Sequence, residues 1–162
     1  MIVVADAGPL HYLILIGRVD LLSTLFGEVV VPAAVRQELT RPQSPPTVRQ
    51  WLDRPPAWAR FLTATEVDWS LALGTGEREA IALAVELRAD LLLVDDRKAR
   101  RIAQERGIPI TGTLGVLKIA HDRGLIELPD AIQRLRSEGF RLSDQLMRDI
   151  LAHLSDRSPE TN

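Results

Sequence analysis

Acidic side chains at the ends of apolar runs carry the chemistry this sequence can do. Asp6 closes the run 2–5, and Asp95 and Asp96 close the run 91–94. In open parallel sheets, ligands bind outside the carboxyl ends of the strands. An acid at such a point also serves as the N-cap of the next helix, and for Asp6 and Asp96 both roles stand open. Two further acids sit inside helical patterns. At 3.6 residues per turn, Arg36, Gln37 and Thr40 share a polar face over 33–40, and Glu38 points opposite, between Val35 and Leu39. Over 75–88, Arg78, Ala82 and Glu86 mark the outer side. Glu77 points inward with Ile81 and Ala84, and Glu79 lies on a solvated flank. A glutamate facing a core needs a partner, a proton or a cation. The helix dipole favours an acid in the first turn, but it does not account for the inward direction of Glu77.

Asp6, Glu38, Glu77 and Asp96 thus point toward one end of one sheet, with Asp95 as an extra acid beside them. Mutual repulsion raises the pKa of crowded carboxyls. A hard divalent cation with oxygen ligands, Mg²⁺ or Mn²⁺, relieves it, and such ions serve phosphate chemistry. The chain has no cysteine, and His11, His121 and His153 are scattered, which argues against zinc. Arg97, Lys98, Arg100 and Arg101 follow the acidic pair directly. Arg97 and Arg100 are candidates to hold substrate, the alternative being a solvated face. Thr111 and Thr113, around Gly112, offer hydroxyls and N–H groups to a phosphate, or form a plain turn. Gly74-Thr75-Gly76 lacks the lysine of a P-loop and the third glycine of a dinucleotide motif.

These residues need a frame. Short apolar runs at 2–5, 28–31, 91–94 and 108–111 read as strands, and the absence of alternation in 91–94 means burial on both faces. Helical patterns cover 10–26 with a break near Gly17, then 33–40, 75–88, 96–106, 114–123, 129–137 and 143–154. The segment 41–56 holds Pro42, Pro45, Pro46, Pro55 and Pro56 and reads as a loop, with room for a helix over 47–53. Strand–helix–strand repetition implies an α/β protein with helices on both faces of a central, mainly parallel sheet of four to five strands. Residues 1–154 form one domain, and 155–162 is expected to fray.

Composition narrows the class. The chain has 162 residues, 46% hydrophobic and 26% charged, which excludes a disordered chain or a coiled-coil rod. A net charge of −2 argues against a protein that coats nucleic acid non-specifically. The lack of cysteine suits a reducing cytoplasm. The start lacks the basic region of a signal peptide, and the apolar run 10–16 is far shorter than the roughly 20 residues of a membrane span. The segments 10–16 and 21–26 offer more apolar residues than one small sheet needs, so an exposed apolar surface is expected there.

Asp-Ala-Gly-Pro-Leu at 6–10, Val-Val-Val-Pro followed by Glu38, Gly-Glu-Arg-Glu-Ala-Ile-Ala-Leu-Ala at 76–84, Leu-Leu-Leu-Val-Asp-Asp-Arg-Lys-Ala-Arg at 91–100 and Thr-Gly-Thr-Leu-Gly at 111–115 stand in one order along the chain. Together they resemble PIN-domain proteins, and among them the VapC-like branch with Asp-Asp-Arg-x-Ala-Arg and Gly-Thr-Leu-Gly signatures. The resemblance implies a three-layer α/β/α fold and a Mg²⁺- or Mn²⁺-dependent ribonuclease. It implies the toxin of a toxin–antitoxin pair, a homodimer and an antitoxin partner. It places the family acids at Asp6, Glu38, Glu77 and Asp96. Glu77 stands where relatives usually carry aspartate, one methylene shorter. Ala7-Gly8 stands where many carry Ser, Thr or Asn, which removes a polar contact near the metal. Two other classes compete. One is a binding module with a degraded site. The other is a phospho-acceptor domain, which expects its acidic pair after the first strand and a lysine after the last.

Overall fold

The computed structural model describes residues 1–155. Strand β1 (Val3–Ala5) leads into helices α1 (Ala7–Leu15) and α2 (Leu21–Phe26). Strand β2 (Val29–Pro32) follows, then α3 (Ala33–Leu39), α4 (Pro46–Asp53) and strand β3 (Ala59–Leu62). Helix α5 (Thr75–Glu86), β4 (Leu91–Leu93), α6 (Arg97–Glu105) and β5 (Ile110–Thr111) complete the sheet. Helices α7 (Thr113–Asp122), α8 (Leu128–Ser137) and α9 (Asp144–Ser155) finish the described chain. Of the terminal segment 155–162, Ser155 ends α9, and 156–162 lie outside the described residues.

The sheet is wholly parallel, in the order β3-β2-β1-β4-β5. β1 therefore pairs with β2 on one side and β4 on the other, with Val4 opposite Val30 and Leu92. The chain first builds outward to β3 and then crosses back to β4. The order reverses between β1 and β4, and that reversal opens a crevice at the strands' carboxyl ends.

β-branched and leucine side chains fill both sheet faces, as a sheet covered on both sides demands. Val3, Ala5, Val29, Val31 and Leu93 join one core with side chains of α1, α2, α4, α7 and α8. Val4, Val30, Leu92 and Val94 join the other, with Ile81, Leu83, Ala99 and Ala103 from α5 and α6. Gly107 (φ 72°) stops α6 and Gly124 (φ 73°) stops α7, both in the left-handed conformation that a side chain resists.

One strand is added and two expectations need correction. β3 is a strand that none of the four apolar runs marks, and it brings the sheet to five strands, within the four to five expected. The last strand is two residues long rather than four: Pro109 accepts the Leu92 N–H through its carbonyl but has no N–H of its own to give, and the register with β4 begins at Ile110. The apolar surface expected over 10–16 and 21–26 is absent. Leu10, Leu13, Ile14, Ile16, Leu21 and Leu22 are buried, and Leu15, Leu25 and Phe26 pack partly buried against the same core. α4, α7 and α8 share that face of the sheet and use up the apolar side chains.

Candidate active site

A cleft of about 150 Å³ lies where β1 and β4 end, lined by Asp6, Ala7, Gly8, Glu38, Gly74, Glu77, Asp95 and Asp96. Asp6 occupies the N-cap position of α1 in extended conformation, yet its side chain makes no capping bond. The capping role left open by the sequence is therefore not the one it plays. It is only 4% exposed, and among the described residues its Oδ1 is the buried side-chain atom without a hydrogen-bond partner. Burial pushes its pKa up to about 7, and the charges of Glu77, Glu38 and Asp95 push the same way against an opposing Ala7 N–H.

The other acids surround this one from α3, α5 and the connection between β4 and α6. Glu77, in the first turn of α5, is half-buried, and its Oε2 accepts the Gly74 N–H at 3.1 Å. Its pKa is raised, by burial first and then by Asp96 and Glu38. Glu38, on α3, is exposed at the rim of the cleft instead of facing the core between Val35 and Leu39. Asp96 is exposed and does cap α6, its Oδ2 accepting the Ala99 N–H at 2.9 Å. Asp95 is held on both oxygens: Oδ1 accepts the Thr113 N–H at 2.8 Å and Oδ2 the Thr113 hydroxyl at 2.6 Å. This pair fixes the start of α7 against the end of β4. A Cβ on Gly112 would stand 2.6 Å from Asp95 Oδ1 and one on Gly8 3.1 Å from Oδ2.

Two side chains change role. Thr113, expected to meet substrate, is fully buried and gives both its N–H and its hydroxyl to Asp95. Glu79, expected to be solvated, is 8% exposed. Its Oε1 accepts the Ala34 N–H at 2.9 Å and its Oε2 the Ala64 N–H at 3.4 Å. It ties α5 to the start of α3 and to the segment after β3, which sets the spacing of Glu77 and Glu38. The signal was in the sequence: Glu79 stands three residues after Gly76 and four before Leu83, both buried. Arg97, Arg100 and Thr111 line an adjoining cleft that reaches the acids through Asp95. His121 is structural, its Nδ1 accepting the Leu128 N–H at 3.1 Å. His11 is half-buried, and burial lowers its pKa.

The donors fit a hard cation in kind: all are carboxylate oxygens, and one is buried with no partner. In position they stand apart. Among the described residues, no three His, Cys, Asp or Glu side chains converge closely enough to hold one ion. Glu77 and Asp96 each spend an oxygen on a backbone N–H, and Asp95 spends both on Thr113. A roomier cleft of about 550 Å³, lined by Thr65, Asp68, Arg78, Glu86 and Arg106 among others, shares no residue with this one.

A family model described as "DUF3368: PIN domain" matches residues 2–156. The chain belongs to the PIN-domain family. Its fold is similar to that of a PilT N-terminus domain protein from the hyperthermophilic archaeon Sulfolobus solfataricus P2. The TM-score is 0.53 at 20% identity, over 74% of this chain and 93% of the other. No curated protein matches the sequence. PIN domains are generally nucleases, and in this one the acids occupy the crevice between β1 and β4. Among the described residues, no helix is long and apolar enough to cross a membrane.

Proposed function

We propose that this PIN domain is a Mg²⁺- or Mn²⁺-dependent endoribonuclease whose ion is held by Asp6, Glu38, Glu77 and Asp96 once these separated side chains draw in around it, with Asp95 beside them. The observation that carries the reading is the unpartnered, buried Asp6 Oδ1 in a cleft lined by four further carboxylates. A buried carboxylate with acidic neighbours is costly unless a positive charge joins it. Such an ion, when bound, supplies an acidified water and a counter-charge for the leaving oxygen of a phosphodiester. Asp95 holds the Thr113 end of the crevice in place, and Glu79 keeps α3 and α5 in register. Arg97 and Arg100 stand beside Asp95 to meet phosphate oxygens.

Cleavage of single-stranded RNA with Mn²⁺ tests this. Asp6→Asn and Asp96→Asn should each lose roughly 100-fold or more in rate, several kcal/mol of transition-state stabilisation. Arg101→Ala, exposed on α6, should cleave like the native chain. Native-level cleavage by both aspartate variants overturns the assignment.

The Asp-Asp-Arg-x-Ala-Arg and Gly-Thr-Leu-Gly segments support the finer reading of a VapC-like toxin, a cytoplasmic homodimer blocked by an antitoxin. Growth arrest on induced expression, relieved by Asp6→Asn, is its mark. A second reading is a partner- or RNA-binding module without catalysis. It is favoured by the separation of the acids and by the Glu77 carboxylate's bond to Gly74. Binding of RNA without cleavage at any Mn²⁺ concentration would select it.

A further inference from the structure

The acidic cleft is the middle of three that adjoin one another. On the β2 side it shares Glu38 and Gly74 with a cleft of about 370 Å³ that Gln37, Arg41 and Thr75 also line. On the β5 side it shares Asp95 with a cleft of about 500 Å³ lined by Arg97, Arg100, Phe140 and Arg141 among others. The strand order β2-β1-β4-β5 puts these two on opposite sides of Asp6. The guanidinium groups of Arg41, Arg97, Arg100 and Arg141 make no ion pair or hydrogen bond among the described residues. Those of Arg36, Arg49, Arg78 and Arg106 are all engaged by the protein. Phe140, with Leu114 and Leu146, gives the β5-side cleft an apolar wall beside its cations.

We infer that these clefts form one groove that holds a single-stranded polynucleotide on both sides of the acids, with Arg41 as phosphate anchor on one side and Arg141, next to Phe140, on the other. A strand crossing the acids needs cations before and after them, because its own phosphates are repelled in between. Unpaired guanidinium groups on each flank supply that, and an apolar wall suits the face of a base. The inference deepens the nuclease reading by naming its substrate contacts, but binding is independent of cleavage.

The test is fluorescence anisotropy with a labelled 12-nucleotide oligouridylate and the whole protein in EDTA, across a salt series. Each of Arg41→Ala and Arg141→Ala should lower the slope of log affinity against log salt by about 0.7, and the pair together by about 1.4. Arg141→Lys should keep the slope, and Arg101→Ala should leave slope and affinity unchanged. Thermal melts confirm that each variant is folded. Unchanged slopes in both alanine variants overturn the groove even if RNA is cleaved. So does the absence of oligouridylate binding, including the case where a dodeca-glutamate peptide binds instead. Binding with the expected slopes but no cleavage leaves the groove standing and removes the nuclease reading.

Discussion

Asp6 sets an electrostatic condition that the rest of the chain does not meet. An unfolded aspartate loses its proton near 3.8, and the folded one near 7. Between those values the folded chain holds an extra proton. The contribution to stability is complete below about pH 3.8, shrinks as pH rises and is gone above about pH 7. Without added metal, the protein should therefore be less stable at pH 8 than at pH 5, by on the order of a few kcal/mol, and melt at a correspondingly lower temperature. Asp6→Asn should weaken that dependence, since its amide carries no proton to lose, and leave the part that the raised Glu77 carboxyl adds in the same direction. Mn²⁺ competes with the same proton, so it should raise the melting temperature more at pH 8 than at pH 5. An equal shift at both pH values, or the same shift in Asp6→Asn, is the contrary result. Calorimetry at the two pH values decides it.

Between elements, Glu79 is the tie that matters. Glu79→Gln keeps the size of the side chain but turns an amide donor toward one of two backbone N–H groups. It should destabilise the fold by roughly 1–3 kcal/mol in urea unfolding, the cost of a buried group left unpaired. A variant as stable as the native chain would show that the bonds to Ala34 and Ala64 contribute nothing. This residue also shows what a sequence reveals. Sharp ends of apolar runs place Asp6, Asp95 and Asp96 correctly, because strands buried on both faces stop where charge begins. Caps and glycine stops place most helices to within a residue or two. The period around Glu77 points that acid toward the site, but taking Glu79 as a solvated flank missed its bonds to two distant backbone N–H groups. β3 is hidden for a different reason. Ala59-Arg60-Phe61-Leu62 contains no β-branched residue, pairs only with β2 and leaves Arg60 exposed. An edge strand of that composition is defined by its neighbour rather than by its own pattern.

At the scale of the whole molecule, the groove runs past the acids and is lined on both flanks, so recognition does not depend on a chain end. A circular single-stranded RNA should be opened to a linear one in Mn²⁺, visible as a mobility change on a denaturing gel. Digestion of linear RNA with circles left intact would instead mean attack from an end. The position of β1 has a consequence in time. Of the sheet's five strands it leaves the ribosome first, yet it lies at the centre of the sheet. Its neighbour β4 arrives late: the Ile2 N–H and the Asp90 carboxylate, hydrogen-bonded at the base of β1 and β4, stand 88 positions apart. At roughly 5–20 residues per second, β1 waits on the order of ten seconds for β4. Until Asp95 and Asp96 follow it out, the crevice has only one wall. For a nuclease of the kind proposed, a nascent chain that stops short of Asp95 and Asp96 is expected to cleave nothing.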